Sequence, residues 1–465
     1  MRLTLNEVGA LPPSIVDILG QNQGYVILVN GKPGVGKTML AQEIARTFPN
    51  TFMIVTSSEN TANYKQALTE THPEWDRYHV AVPFWRSDLG DDMSQLSLSE
   101  QLSTLTGKTV QLDGYDIIVI DSWTDFLAPY ELAKRSELEH VLTETARREG
   151  KRLVLISDCS DDNQCSPGTL RAADGVVTLN RLREEQRVYR RIIIEKMRGV
   201  PIEQDEFLFT LHGGRFTYIP WYQHRYPAIT VEREPISDPS RDMLSTGSRS
   251  LDRVLGGGFQ KGALNLVELE SITAPYLETL YIPFLSNQLQ LGRPVIIVLP
   301  EGWSSERFVH GLSHFVDRKT IDECVVFFGR QALGRIGNVR PISDDPSKTL
   351  QEIRYEANQL ARRFDKEVTE FFALDALENK FGPVKTTGMV AEITASLPET
   401  ETATIMVLGR QQTISSSSLP HSVHIVVREI CGVIGIYGIS PKTGFLALRP
   451  RLAGGFLDYD LLPVL

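Results

Sequence analysis

Residues 25–40 read YVILVNGKPGVGKTML, and this stretch decides the fold of the first half of the chain. An apolar run over 25–29 leads into GKPGVGKT (31–38), which satisfies GxxxxGK[ST], and residues 39–46 favour a helix. In this strand–loop–helix setting, glycines let backbone N–H groups surround phosphate oxygens at a helix N-terminus. A tight glycine-rich turn without a ligand is the alternative, and the flanking strand and helix favour a phosphate-binding loop.

The side chains of this loop indicate a nucleoside triphosphate with Mg²⁺. Lys37 would reach the β- and γ-phosphates, and the Thr38 hydroxyl would ligate the metal. The expected nucleotide-binding residues are Gly31, Lys32, Pro33, Gly34, Val35, Gly36, Lys37, Thr38 and Met39.

Length and composition indicate a two-domain globular protein. The chain has 465 residues, which is more than one hydrophobic core usually holds. Its content of 42% hydrophobic and 23% charged residues is typical of a globular protein. A net charge of −10 argues against a generally basic, nucleic-acid-coating surface, although a local basic patch stays open.

Targeting signals and cysteines point to the cytoplasm. The N-terminal residues contain no apolar signal region, and no run approaches the ~20 apolar residues of a membrane span. The four cysteines form no CxxC pair and no zinc spacing, which indicates reduced thiols: Cys159, Cys165, Cys324 and Cys431.

Two carboxylates follow buried strands of the first half. The run TFMIVT (51–56) predicts a strand, and Glu59 follows it, where it could activate a water against the γ-phosphate or be a solvated loop charge. The run DIIVIDS (116–122) has the Walker B pattern, in which Asp121 would complete the Mg²⁺ shell. Ser157 and Asp158, after the strand 152–156, would sense the γ-phosphate or cap a turn.

A basic strand follows near the end of the first half. Residues 175–199 alternate like a β-hairpin, and in a strand over 188–198 the side chains of Arg190, Lys196 and Arg198 would share one face. Cations there suit a γ-phosphate of the same chain or of a neighbouring subunit. A solvated basic strand edge is the alternative.

Together these motifs resemble the RecA/KaiC-type ATPases over residues 11–220. The resemblance implies ATP as ligand, Glu59 as the catalytic base, and Lys196 and Arg198 (in KMRG, 196–199) reaching the nucleotide of a neighbouring subunit in a homo-oligomer. KaiC-like domains usually carry two adjacent glutamates where this chain has Ser58-Glu59, which implies slow hydrolysis.

The second half resembles a repeat that has lost its loop. Residues 245–262 are similar to the segment before a KaiC-like P-loop, but ELESITAPY (268–276) follows, with Pro275 and Tyr276 at the Lys and Thr positions. A Walker B counterpart is expected at Thr404–Leu408, and Glu301 at the position of Glu59. The predicted fold is therefore α/β, with two tandem RecA-like P-loop domains of mostly parallel sheet flanked by helices. These are a 1–231 ATPase domain, a 232–244 linker and a degenerate 245–465 domain for oligomerisation, partner binding or regulation.

The favoured function is a regulatory ATPase switch, Mg-dependent and slow. Two-domain KaiC-like chains with one intact P-loop occur in archaea, and LPPSIVDIL (11–19) with the P-loop resembles the GvpD group of regulators. The partners implied are ATP and ADP, further copies of the chain and a regulatory protein. A recombinase-like accessory protein binding DNA through Arg181–Arg191 is the alternative, and a small-molecule kinase a third.

Overall fold

A computed structural model describes residues 10–21, 24–56, 78–81, 93–107, 109–158, 167–184, 187–222, 234–270, 274–329, 338–399, 402–453 and 456–464. The chain divides into a first unit of residues 1–220 with 464–465 and a second unit of residues 221–463. Among the described helices, none is both long and apolar enough to cross a bilayer.

The first unit is built on a nine-stranded sheet in the order β3-β2-β4-β5-β1-β6-β7-β8-β9. Its strands are β1 Val26–Gly31, β2 Thr51–Thr56, β3 Tyr78–Ala81, β4 Ile117–Asp121, β5 Arg152–Ile156, β6 Gly175–Glu184, β7 Arg187–Met197, β8 Glu206–Thr210 and β9 Thr217–Ile219. Its described helices are α1 Pro13–Gln21, α2 Lys37–Thr47, α3 Leu98–Thr106, α4 Trp123–Leu127, α5 Leu132–Arg148 and α6 Pro167–Ala172. Strands β3 to β6 are parallel, and β6 to β9 are antiparallel.

Strand β1 is buried on both faces because apolar side chains alternate between two cores. Ile27 and Val29 pack with the helix α2 residues Leu40 and Ile44 on one face. Val26 and Leu28 pack on the other face with residues of α3, α4 and α5. Such double burial explains the continuous apolar runs that precede the P-loop and Asp121.

The second unit contains a ten-stranded sheet in the order β15-β14-β13-β16-β17-β12-β18-β19-β20-β21. Its strands are β10 Met243–Leu244 and β11 Phe259–Gln260 (a separate pair), β12 Leu264–Leu269, β13 Val295–Val298, β14 Val325–Gly329, β15 Asn338–Pro341, β16 Thr369–Ala373, β17 Ala403–Gly409, β18 Val423–Ile430, β19 Val433–Ser440, β20 Leu446–Ala453 and β21 Phe456–Pro463. Its described helices are α7 Arg249–Val254, α8 Ala274–Gln290, α9 Ser305–Ser313, α10 Arg318–Cys324, α11 Pro346–Phe364, α12 Leu374–Phe381 and α13 Pro383–Ser396.

The two sheets share one topology. If β12 is matched with β1, the neighbours β17, β16, β13 and β14 take the places of β5, β4, β2 and β3, and β18–β21 take those of β6–β9. Within the second sheet, β15 is the one described strand without a counterpart in the first sheet. The predicted α/β fold with tandem RecA-like domains is confirmed.

The described part of the predicted linker packs on the second unit. Ile236 donates its N–H to Asn287 Oδ1 (2.7 Å) and accepts from Asn287 Nδ2 (3.0 Å), and its side chain is buried. Met243–Leu244 forms β10 and pairs with β11. Residues from 234 onward are therefore held by the second unit, whereas the functional boundaries given above stay predictions.

A proline inside α8 is compensated by a tyrosine from the last strand. Pro283 has no N–H, so the carbonyl of Thr279, four residues earlier, loses its intrahelical donor. The Tyr459 hydroxyl donates to this carbonyl at 3.0 Å in a buried position. Strand β21 is therefore bonded to the helix that follows β12.

We expect Tyr459→Phe to destabilise the second unit by about 1–3 kcal/mol, because a buried carbonyl loses its donor. Urea unfolding of the full chain measures this, with the exposed Tyr355→Phe as a control expected to change stability by less than about 0.5 kcal/mol. Adding Pro283→Ala restores an N–H and should reduce the penalty. Equal stability of Tyr459→Phe and wild type would contradict the compensation.

Candidate functional site

The P-loop connects the carboxyl end of β1 to α2, and Lys37 is its most constrained side chain. Its ammonium donates to the carbonyls of Gly31 (2.7 Å) and Lys32 (2.9 Å) and pairs with Asp158 Oδ1 at 2.7 Å. Lys37 is 6% exposed. The lysine is thus folded over its own loop, with Asp158 on β5's exit as its counter-ion. Asp158 therefore contacts the P-loop lysine, while the turn that it was alternatively predicted to cap lies outside the described residues.

Thr38 and Asp121 lie together, as a Mg²⁺ site requires. Asp121, at the carboxyl end of β4, accepts a hydrogen bond from the Thr38 side chain. Burial raises the pKa of Asp121 to about 6, and the Asp158 charge adds to the rise, while Thr38 and Lys37 oppose it. A hydroxyl and a carboxylate beside a phosphate loop are the donor set that Mg²⁺ takes in such sites. No cluster of three His, Cys, Asp or Glu side chains suited to a metal occurs among the described residues.

Two threonines that the sequence analysis did not single out fix the strand ends around Asp121. Thr56, the last residue of β2, accepts from the Ser122 N–H (2.7 Å) and donates to the Ser122 carbonyl (2.9 Å). Thr124 contacts the Ser157 hydroxyl (2.9 Å) and accepts from the Asp158 N–H (3.1 Å). The carboxyl ends of β2, β4 and β5 are therefore bonded to one another. Glu59 lies outside the described residues.

The expectation that Arg190, Lys196 and Arg198 share one strand face is wrong. The register of β6 and β7 shifts, so that Val176 pairs with Lys196 but Val177 pairs with Ile194. This β-bulge turns the side chains beyond it to the opposite face. Arg190 consequently faces the P-loop side of the sheet, and Lys196 faces the other side.

Lys196 is occupied at the end of α6. Its ammonium donates to the carbonyls of Ala173 (2.6 Å) and Leu170 (3.4 Å), which places it as a helix C-terminal cap. Burial and the neighbouring Arg198 lower the pKa of Lys196.

Arg198 lies at the end of the sheet opposite to the P-loop. The backbone N–H of Arg198 donates to the carbonyl of Asp174. The backbone N–H of Asp174 in turn donates to the carbonyl of Val26, at the start of β1. The loop begins five residues later, about 16 Å along the strand, so Arg198 is remote from the P-loop of its own chain. Its side chain is 58% exposed and lies 3.3 Å from Asp174 Oδ1. Contact with a neighbouring copy's nucleotide stays a prediction.

The second unit lacks the Walker B carboxylate. Counting across the paired strands from β1 through β5 to β4 leads from Val29 to Asp121. The same count from β12 through β17 to β16 leads from Val267 to Ala373. The expected counterpart at Thr404–Leu408 is therefore wrong, because it lies on β17, which corresponds to β5. It was mistaken because β16 and β17 are similar apolar runs.

The correspondence of Glu301 with Glu59 stays a prediction, because Glu59 lies outside the described residues. The pairs Ile54–Ile120 and Val298–Phe372 are equivalent, and Glu301 follows Val298, the last residue of β13, by three residues. Its N–H donates to Asp375 Oδ2 at 3.0 Å. Burial raises the pKa of Asp375. The Asp375 carboxyl thus stabilises the turn after β13 by accepting this backbone hydrogen bond.

In the second unit, carboxylates lie at the position that corresponds to the phosphate loop of the first unit. Glu270 follows β12 and accepts the N–H of Glu429 at 2.7 Å. The Tyr276 hydroxyl, in the first turn of α8, donates to Glu429 Oε2 at 2.9 Å. Burial and these carboxylates raise the pKa of Tyr276. Such a surface repels phosphate.

Comparisons with known proteins agree with this geometry. The family model of the ATPase KaiC matches residues 15–219. Protein GvpD2 of Halobacterium salinarum is 27% identical over 333 residues, covering 65% of this chain and 64% of the relative. Protein GvpD1 of the same organism is 25% identical over 338 residues, covering 65% and 59%. The matches span less than two thirds of the length of either relative.

Asp121→Asn should stabilise the ligand-free protein at neutral and alkaline pH. A folded pKa of about 6, against 3.8 ordinarily, means that this carboxyl costs stability as pH rises from about 4 through 6. The cost is on the order of 3 kcal/mol above pH 7. The variant should therefore melt higher than wild type at pH 8, with the difference vanishing near pH 4.

Thermal melts across pH 4–8 measure the effect, with Asp116→Asn, immediately before the same strand, as the control. A variant that melts at or below wild type at pH 8 would contradict the burial argument. With ATP present, the same variant should lose the additional stabilisation by Mg²⁺.

Proposed function

We propose that the chain is a regulatory ATPase that binds Mg-ATP in its first unit and hydrolyses it slowly, a proposal supported by the match of residues 15–219 to the KaiC ATPase family model. The observation that carries the proposal is the convergence of Lys37, Thr38, Asp121 and Asp158 at the carboxyl ends of β1, β4 and β5. This edge of a parallel sheet is where such folds place their ligands.

Binding requires Lys37 to exchange partners. In the structure its ammonium is held by two loop carbonyls and Asp158. A triphosphate on the loop would replace these contacts with phosphate oxygens, and Asp158 would remain close enough to sense the exchange. The loop N–H groups and the N-terminus of α2 supply the remaining positive potential.

Mg²⁺ would be held by the Thr38 hydroxyl and the Asp121 carboxylate, and it would neutralise charge on the β- and γ-phosphates. Asp121 would have to be ionised for this role, so its raised pKa predicts weaker metal binding below about pH 6. The Thr56–Ser122 contacts support the role by fixing the chain on either side of Asp121.

Glu59 is the proposed base that activates water. Thr56 ends β2 next to Ser122, and Glu59 follows three residues later, a span of at most about 10 Å. Glu59 itself lies outside the described residues, and its proposed role is supported by the position of the end of β2 beside Ser122, the neighbour of Asp121. A single glutamate at this place suits slow turnover that resets a switch.

Arg198 is proposed to complete the site of a neighbouring copy in a homo-oligomer. Its exposed side chain, its single described carboxylate contact and its distance from its own loop support this role. Lys196 supports it indirectly, because its contacts at α6 hold the strand end that carries Arg198. The second unit, whose counterpart site lacks an acidic Walker B residue, is proposed as the module that assembles copies or binds a regulatory protein.

Glu59→Gln should abolish ATP turnover and retain ATP binding, since the amide cannot accept a proton from water. Turnover of purified protein and its mass with and without Mg-ATP test this, with Lys37→Ala as the binding-deficient control. Assembly induced by Mg-ATP should persist in Glu59→Gln and disappear in Lys37→Ala. Wild-type turnover in Glu59→Gln would exclude it as the base.

Arg198→Ala should likewise bind ATP without hydrolysing it, and mixing distinguishes action in trans. Arg198→Ala keeps an intact P-loop, and Lys37→Ala keeps an intact Arg198, so mixed oligomers should recover part of the wild-type turnover. Lys196→Ala should lower the melting temperature more than Arg198→Ala, because it uncaps α6. Full turnover in Arg198→Ala alone would refute the role across subunits.

A further inference from the structure

The outer side of the P-loop rests on the antiparallel strands. Gly36 has φ +115°, and a Cβ there would lie 3.1 Å from Leu211 Cδ1 and 3.4 Å from Phe209 Cε2. Both residues belong to the end of β8 or its exit. At the point where α2 begins, the loop therefore contacts a wall formed by the antiparallel strands, here by Phe209 and Leu211.

Arg190 is the polar part of the same wall. It lies on β7, paired with Phe209 on β8 and with Arg181 on β6. Its guanidinium Nη1 donates to the carbonyl of Val35 at 2.8 Å and to that of Gly34 at 3.2 Å. The residue is only 9% exposed.

Burying a guanidinium here is costly, which makes its contacts informative. Burial and the facing Arg181 lower the pKa of Arg190. Each backbone carbonyl it holds belongs to a planar trans peptide, in which C=O and N–H point in opposite directions. Holding the Val35 carbonyl towards β7 therefore turns the Gly36 N–H away from β7, towards the inside of the loop.

The second unit supplies an internal comparison. The pair Gly31–Leu179 is equivalent to Leu269–Val427, so Arg181 corresponds to Glu429 in the strand count. Glu429 pairs with Ile434, which therefore takes the place of Arg190 and is buried in an apolar core. The arginine is present in the unit that has a phosphate loop, and an isoleucine stands in the unit that does not.

We propose that Arg190 is a positioning residue that presets the P-loop backbone for phosphate by holding the Gly34 and Val35 carbonyls. This role rests on the proposed function, because it concerns ATP binding at the same loop. In this role Arg190 acts through the two loop carbonyls and not through a contact of its own with phosphate or water. Its loss should weaken ATP binding and leave turnover at saturating ATP nearly unchanged.

The test compares Arg190→Gln, Arg190→Lys and the control Arg191→Gln. Arg191 is the next residue of β7, points to the other face and pairs with Glu206 at 2.7 Å. A fluorescent ATP analogue gives the dissociation constant, and melting without nucleotide reports stability. Arg190→Gln should weaken binding about 10- to 100-fold, as expected for charge-assisted hydrogen bonds. Arg190→Lys should be intermediate because an ammonium lacks the guanidinium fork, and Arg191→Gln should stay within about twofold.

Each outcome separates the possibilities. Folded Arg190→Gln with wild-type affinity would overturn the inference, as would equal losses of affinity in Arg190→Gln and Arg191→Gln. If Arg190→Gln fails to fold, Arg190→Lys decides: weaker binding at a near wild-type melting temperature supports the role, and wild-type affinity overturns it. Failure of the wild type to bind the analogue would instead refute the proposed function.

Discussion

Lys37 and Asp121 are opposite charges held almost out of water at the carboxyl edge of the first sheet, 6% and 7% exposed. Each would be costly to bury alone. Lys37 is compensated by Asp158 and two loop carbonyls, while Asp121 has the Thr38 hydroxyl and a pKa of about 6. Strands β1 and β4, which end beside these two side chains, are buried on both faces, which leaves the side chains little freedom to separate. A multiply charged ligand at this edge would lie beside both the cation and the carboxylate that is proposed to bind the metal.

The second unit shows how much of this arrangement the fold itself requires. Its sheet keeps the same strand order, with apolar cores on both faces. Ala373 nevertheless stands at the place of Asp121, and Glu270 and Glu429 lie where phosphates would have to bind. Layer packing therefore maintains the architecture without the charges, and the Tyr459 hydroxyl satisfies a carbonyl that a proline leaves open. The charged edge of the first unit is a feature of its site and is not needed for its fold.

The sequence predicted those elements that depend only on residues close to one another in the chain. The P-loop, the Asp121 strand and the strand 152–156 lie where the sequence placed them, because apolar runs and glycine spacing act over a few residues. The strand face predicted for Lys196 was wrong, because one extra residue in β7 reverses the alternation of side chains. No glycine or other turn residue in the sequence of β7 indicates this bulge. The Walker B counterpart was wrong because strand order, which a single apolar run does not encode, decides which strand neighbours β12. Arg190 was grouped with the strand cations, but its contact with the loop spans more than 150 residues.

The β6–β7 hairpin connects the loop to the predicted subunit contact. On one face, at one end, Arg190 holds the P-loop carbonyls, while at the other end Arg198 is exposed beside Asp174. The bulge lies between these two positions and turns Lys196 towards α6, which anchors the far end to the body of the unit. A strand paired along both edges at Arg190 and anchored beyond the bulge is a stiff element. If Arg198 contacts a neighbouring copy as proposed, a displacement of Arg198 would be transmitted along this stiff strand to Arg190 and the P-loop carbonyls, so that assembly and nucleotide binding would be coupled.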